Sequence, residues 1–330
     1  RRGMSSAPVL QVDSICKRYG DFLAVDRLSF DVPKGVIYGI LGPNGAGKTT
    51  SLRMINDILL PDEGAIRLFG DLAPGREAAK RIGYLPEERG LYPKMKVGET
   101  LCFFAELRGL GRKSAAKRAD EWLERLAISD WKDNKVQDLS KGMQQKVQFA
   151  SSLIHDPDLL ILDEPWSGLD PINADVLRDI VVAQKEAGKS ILFSTHLMEQ
   201  AEKICEFVCI IAKGRKALDG DLKTIKKEAA REGVVSLAFA DSTVAEQAKE
   251  SVLADAALVQ SVSEAKDGLE LQLAEGAESG ALLAALLGAG LELRRYELLR
   301  PSLHQIFVER VGAMADAGTA GRLEEERDAQ

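Results

Sequence analysis

The stretch "VIYGILGPNGAGKTT", Val36 to Thr50, decides the fold. Its first part, Val36 to Gly42, is a short apolar and β-branched run suited to a strand buried on both faces. Its second part sets Gly42, Gly45 and Gly47 around Pro43, Asn44 and Ala46, then runs directly into Lys48, Thr49 and Thr50. Glycine lets a backbone wrap closely around phosphate oxygens with its N–H groups turned inward. Leu52, Ile55 and Leu59 follow at helical spacing until "PDEG" stops them. A helix starting there adds its positive N-terminal dipole. In that context Lys48 reaches the β- and γ-phosphates of a nucleotide and the Thr49 hydroxyl ligates Mg²⁺. A chance glycine-rich turn would lack the strand before it and the helix after it. Many kinds of nucleotide-driven protein carry such a loop, so the kind has to be read elsewhere.

Outward from this loop, the first part of the chain alternates strands and helices, the pattern of an α/β layer fold. "LQVDSICKRYG" (Leu10 to Gly20) and "LSFDVPKG" (Leu28 to Gly35) read as strands separated by turns. Between about Pro93 and Leu153 the character changes to charged, amphipathic helices such as "AAKRADEWLERL". Central strands return in "DLLILDEP" and "SILFSTH", so a helical insertion interrupts a parallel-sheet core. "LLILDEP" is the second chemical motif: a buried strand delivers Asp163 and Glu164 at its end. Asp163 suits a Mg²⁺ shell, and Glu164, one residue on, can face an attacking water.

Beyond "VCIIAKGRKALDGD" the pattern shifts. "VVSLAF", "ALVQSVS", "LELQLA" and "LELRRYEL" alternate like half-exposed strands, and "STVAEQAKESVL" and "ESGALLAALLGAG" read as helices between them. Strand, helix, strand, strand, helix, strand is a ferredoxin-like order. The final stretch, "RLEEERDAQ", is polar.

Composition narrows the class. A chain of 330 residues is long enough for about two domains. A formal net charge of −7 argues against a nucleic-acid binder, which usually shows a basic domain or stripe. Cys16, Cys102, Cys205 and Cys209 form no disulfide framework and read as reduced thiols of a cytosolic protein. Cys205 and Cys209 are spaced to share a helix face, without the companions a zinc site needs. No apolar run approaches the ~18 residues that span a bilayer, so a role at a membrane requires another chain to do the spanning. "RRGMSSAP" lacks the apolar stretch of a secretory signal, and Met4 is the expected native start.

"LSKGMQQK", Leu139 to Lys146, settles the kind. It resembles the signature motif of the ATP-binding cassette (ABC) ATPases, usually LSGGQ, with Lys141 and Met143 replacing a glycine and the glutamine while Ser140 and Gly142 remain. Alone it could be a common helix cap. The order of phosphate loop, signature, "LDEP", "SGLDP" and "STH", over roughly Val9 to Gly220, is specific. The resemblance implies an α/β P-loop NTPase of the ABC ATPase type with a helical subdomain, plus the C-terminal α+β ferredoxin-like domain. The expected boundaries are 8–220 for the ATPase domain (helical part about 93–153), 221–313 for the accessory domain and 314–330 for the tail.

It also implies residue roles. Tyr19 stacks on adenine, His196 in "STHLM" contacts the γ-phosphate, and Asp170 in "SGLDP" touches an opposing subunit, whose phosphate site Ser140 and Gly142 complete. His155 and His304 match nothing and are read as structural. In "GYLPEERGLYP" the family usually has glutamine after the proline; here Glu87 can approach Mg²⁺ as a carboxylate, or pair with Arg89. That form, with the signature's methionine and "RPSLHQIFVERVG" (Arg300 to Gly312), resembles the exporter branch of sodium-extrusion and drug-export ATPases. The implied protein binds and hydrolyses ATP with Mg²⁺ and dimerises on ATP with a second ABC ATPase subunit. It powers export through a separate membrane permease at the cytoplasmic face, without nucleic acid. The competing readings are an importer ATPase with a ligand-sensing tail and a soluble ABC protein. The second of these implies tandem cassettes or a long coiled coil, and neither is present in the sequence.

Overall fold

Tyr19 and Phe22 flank a two-residue turn that joins β1 (Leu10–Tyr19) to β2 (Phe22–Val32), so β2 starts six residues before the expected strand. The computed structural model describes residues 7–311 apart from 89, 230–233, 266, 300 and 309. Arg89 and the tail 314–330 therefore lie outside the described residues. β3 (Ile37–Leu41) is buried at all five positions, as its apolar run requires. α1 (Lys48–Ile55) ends a turn earlier than the leucine spacing implies. The Asn56 side chain donates to Leu52 O at 2.8 Å, and Asp57 turns left-handed at φ +59°. Leu59 then packs on the core from the loop instead of from the helix.

β4 (Glu63–Leu68) pairs with β1 to give a three-stranded antiparallel sheet, order β2-β1-β4. α2 (Arg76–Ala79) and β5 (Ile82–Leu85) lead to the helical segment α3 (Val97–Leu107), α4 (Arg112–Arg125) and α5 (Lys141–Leu153). The chain then returns through β6 (Leu159–Asp163), α6 (Pro171–Glu186), β7 (Ser190–Thr195), α7 (Met198–Ile204), β8 (Phe207–Ala212) and β9 (Arg215–Asp221). The second sheet has six strands, order β5-β6-β7-β3-β8-β9, parallel except where β9 pairs with β8.

Leu41 lies beside Thr195 and Asp163 beside Ser194, so the C-terminal ends of β3, β6 and β7 are level. The loops carrying the glycine-rich stretch, Glu164 and His196 leave from that one edge, the usual place for a site on an open parallel sheet. Ile40, Leu52, Ile55, Ile161 and Leu192 fill the core beneath it, each side chain contributing about 1.5–3 kcal/mol on burial. Cys205 follows α7 and Cys209 lies within β8, so the two do not share a helix. Both are free and buried, and burial pushes both thiols far up.

The described chain divides into two compact units, the first running to Leu222 and resuming with Arg310 and Val311, the second running from Lys223 to Val308. α8 (Leu222–Ala229) begins at this boundary. The second unit contains β10 (Val234–Phe239), α9 (Ser242–Glu250), β11 (Val259–Ala265), β12 (Gly268–Leu273), α10 (Ser279–Gly288) and β13 (Leu293–Leu298). Its sheet is antiparallel throughout, order β11-β12-β10-β13, which is the ferredoxin-like arrangement. Val235, Leu237, Leu269, Leu271 and Leu273 form a core with Leu282 and Leu286 of α10. The alternate positions include Ser236, Glu270 and Glu297, aligned across three strands, so strand alternation gives the sheet a polar second face. Among the described residues no helix is long and apolar enough to cross a membrane.

Candidate functional site

The loop after β3 is shaped by glycine where nothing larger fits. Gly42 stands at φ +155° and Gly47 at φ +104°. A Cβ on Gly42 would lie 2.2 Å from Ile211 O, and one on Gly47 would lie 2.6 Å from Ala24 O. The loop closes with Ala46 N–H donating to Pro43 O at 3.2 Å, and α1 starts at Lys48. Asn44, Gly45, Ala46, Gly47, Lys48, Thr49 and Thr50 line one wall of a cleft of about 360 Å³. Tyr19, Phe22, Ala24, Glu87 and Glu164 line the rest. Tyr19 is 47% exposed and Phe22 61%, two aromatic faces at the turn between β1 and β2, open to a planar ring. Phe22 had no motif to mark it; its pairing with Tyr19 across the turn is the structural signal.

Lys48 is buried, and its Nζ donates to Gly42 O at 2.8 Å and Pro43 O at 3.2 Å while lying 3.5 Å from Glu164 Oε1. Glu164 is itself held: Thr195 Oγ1 donates to Oε2 at 3.1 Å, and His196 Nδ1 lies 2.9 Å from Oε1. The Ser194 hydroxyl donates to Asp163 Oδ1 and Thr49 Oγ1 donates to the same oxygen at 3.3 Å. Burial raises the Asp163 carboxyl above its ordinary range, and the Ser194 and Thr49 hydrogen bonds oppose that rise.

Asp163 Oδ2 is buried and has no protein partner among the described residues. An orphaned carboxylate oxygen beside a threonine hydroxyl fits Mg²⁺, which takes one or two protein ligands and fills its shell with water and phosphate oxygens. No cluster of three or more His, Cys, Asp or Glu able to hold a metal occurs among the described residues, so a metal here would depend on the nucleotide for its remaining ligands.

Ser140, Gly142 and Asp170 do not line this cleft. Ser140 caps α5, its Oγ accepting from Met143 N–H at 3.3 Å. Asp170 caps α6 by accepting from Asn173 N–H at 3.0 Å, and those Asn173 hydrogen bonds lower its carboxyl pKa. A Cβ on Gly142 would meet Asn173 Nδ2 at 3.4 Å, so the starts of α5 and α6 are neighbours. His155 is a packing residue, its Nε2–H donating to Ile82 O at 3.0 Å. Two glutamines of α5 that carried no motif signal touch the loops bearing the carboxylates. Gln145 Nε2 donates to Pro165 O at 3.3 Å, and Gln148 Nε2 donates to Pro86 O and Glu88 O.

Known proteins are similar to this chain in sequence and in fold. A family model described as ABC transporter matches residues 25–167, and one described as the C-terminal domain of DrrA1-3-like ATP-binding protein matches residues 220–311. The ABC transporter ATP-binding protein YhaQ of Bacillus subtilis is 45% identical over 306 residues, covering 93% of this chain and 99% of its own. Nod factor export ATP-binding protein I of Ralstonia nicotianae is 41% identical over 220 residues, covering 66% of this chain and 68% of its own. A solved structure of an ATP-binding subunit of an ABC transporter superposes with a TM-score of 0.62 at 32% identity, covering 67% of this chain and 92% of its own.

Proposed function

The chain belongs to the ABC transporter ATP-binding proteins, and from that premise we propose that it hydrolyses ATP to drive export through a separate membrane permease. The observation that carries the proposal is the environment of Glu164. It is a buried carboxylate beside Lys48, held on both oxygens by Thr195 and His196, and next to an Asp163 oxygen that has no partner among the described residues. These surroundings support a role in taking a proton from water over one of only balancing a cation.

The other roles follow from position. Lys48 and the loop N–H groups take the β- and γ-phosphates, and Tyr19 and Phe22 offer faces for adenine. Thr49 and Asp163 would hold Mg²⁺, with Glu87 also lining the cleft. When bound, that ion supplies neutralisation of charge on the phosphate oxygens. His196 orients Glu164 and lies where a γ-phosphate would be sensed.

Ser140, Gly142 and Asp170 stand outside their own cleft at two helix N-termini, and in this reading they complete the cleft of a second subunit. Two ATP molecules then bridge the pair, and loss of the γ-phosphate releases it. The exporter assignment rests on the signature with Met143, the "PSLHQIF" segment and a relative named for Nod factor export. The working location is the cytoplasmic face of a membrane. The ATPase domain is assigned to 8–220, the accessory domain to 221–313 and a tail to 314–330.

The test is Glu164→Gln in the full chain, which keeps the site's shape while removing the base. Turnover with Mg-ATP is expected to fall by about 10²- to 10⁴-fold, with an ATP-bound dimer accumulating by light scattering. Near-normal turnover refutes the assignment of Glu164.

A further inference from the structure

Gln148 lies within α5, eight residues beyond the capping Ser140 and only 4% exposed. Its Nε2 donates to Pro86 O at 3.2 Å and to Glu88 O at 3.1 Å, the two carbonyls on either side of Glu87. A primary amide has two N–H donors, and here both act on one short arc of backbone. Turning the amide over would set its oxygen against two carbonyl oxygens, so these contacts fix its orientation. Gln148 Oε1 is buried without a partner among the described residues. Burying an unpaired carbonyl is unfavourable, and a leucine or methionine would fill the space without that cost. The N–H contacts to the loop are what a glutamine adds over such a residue. Gln145, three residues earlier on the same helix face, donates in the same way to Pro165 O, directly after Glu164. One helix thus grips both loops that bring carboxylates to the cleft.

We propose that Gln148 is a positioning residue for Glu87. By pinning Pro86 and Glu88 to α5 it holds the Glu87 carboxylate on the wall of the nucleotide cleft and ties that carboxylate to any movement of the helix that Ser140 begins. The inference rests on the hydrolytic reading of the site. Because α5 rises about 1.5 Å per residue, Gln148 sits about 12 Å along the helix from Ser140, and a rigid shift of the helix carries Glu87 with it.

The experiment uses the full chain with four proteins: wild type, Gln148→Met, Glu87→Ala and the double variant. Methionine keeps the length and buried volume of glutamine and removes both donors. Gln148→Met is expected to raise the Mg²⁺ concentration for half-maximal ATPase activity by about 10-fold, in the range for loss of an outer-shell partner, and that for half-maximal binding of a fluorescent ATP analogue by a similar factor, while KM for ATP at saturating Mg²⁺ changes less than about twofold. In the Glu87→Ala background the same substitution is expected to have no further effect, since the residue it acts through is gone. Independent losses that multiply in the double variant overturn the proposal, as does an unchanged Mg²⁺ dependence. If Gln148→Met does not fold, Gln148→Asn, too short to reach the loop, carries the same cycle. A wild-type chain without Mg²⁺-dependent hydrolysis refutes the hydrolytic reading alone. The cycle is then read in Mg²⁺-dependent ATP binding, where additive losses still overturn the role of Gln148.

Discussion

Glu164 stands at φ +47°, a left-handed backbone that costs a residue with a Cβ about 1–3 kcal/mol. Its N–H donates toward Ser194 O and Ser194 Oγ, both at 3.2 Å, and its side chain is held by Thr195 and His196. The sequence marked Glu164 through its place after an apolar strand, but the strained backbone is set by neighbours on β7, thirty residues away in the chain. Gln148 was illegible for a similar reason: within an amphipathic helix a glutamine looks like any surface polar residue, and only the fold brings Pro86 and Glu88 to it. At this scale Lys48 and Ser140 separate two kinds of contribution. Lys48→Ala removes a charged donor from its own cleft and is expected to weaken ATP binding roughly 10- to 100-fold. Ser140→Ala is expected to leave binding to the isolated subunit within about twofold, a change too small for loss of a direct contact, and to abolish ATP-driven dimerisation. Because Ser140 also caps α5, its loss destabilises the helix by about 1 kcal/mol, so Ser140→Asn, an equally good cap, serves as the control. Mixing the Lys48 and Ser140 variants restores one intact composite site, visible as partial ATPase recovery. No recovery after verified subunit exchange excludes the cross-subunit arrangement.

Elements were legible where their hydrophobic period was unmixed. β3, β6 and β7 are buried at every position and read from the sequence as central strands. The end of α1 was not legible, because the leucine period continues to Leu59 while Asn56 and Asp57 stop the backbone. Nor could alternation assign β1, β2 and β4 to a separate antiparallel sheet, since half-exposed strands look alike wherever they pair. His155, just beyond α5, shows what an element's packing does to a titratable group. Burial, with the nearby Arg108 charge second, lowers its pKa to about 4, so the folded protein keeps the ring neutral as its Nε2–H bonds Ile82 O. In the unfolded chain the ring titrates near its ordinary value of about 6.5. Above that pH neither state is protonated there and this residue makes no pH-dependent contribution. As pH falls from about 6.5 to about 4 the unfolded chain takes the proton first, and stability drops by up to roughly 3 kcal/mol. Urea midpoints at pH 7.5 and pH 5 are expected to differ less in His155→Asn, which can still donate to Ile82 O, than in the wild type. An identical pH dependence in the two proteins excludes His155 as the source.

For the whole molecule, the glycine-rich loop, "LDEP" and "STH" were readable together because each sits at a strand end and parallel strands bring those ends to one edge, whereas the signature and "SGLDP" sit at the starts of α5 and α6. The second unit was readable as a strand-and-helix order, but its role was not, since none of its alternating positions carries a chemical motif. It has a core of its own around Leu237, Leu271 and Leu282, and it leaves Leu287 of α10 60% exposed, with Val262 and Leu298 also exposed on the two edge strands β11 and β13. An independent core argues that its removal spares the first unit. Exposed apolar residues argue for a contact with another chain, and a tethered second contact raises the effective concentration of the partner subunit before nucleotide arrives. Ending the chain after Ala229 keeps Leu222, which is buried and whose N–H donates to Glu206 O at 2.8 Å. That truncated protein is expected to bind ATP with a Kd within about twofold of the full chain, a difference of about 0.4 kcal/mol. Its nucleotide-free dimer fraction, measured by light scattering across a dilution series, is expected to be lower, and so is its recovery in a membrane complex after detergent extraction. If the truncated chain dimerises and assembles like the full one, dimer support is the wrong role for the second unit. If it loses ATP binding instead, the second unit is needed to keep the first one folded.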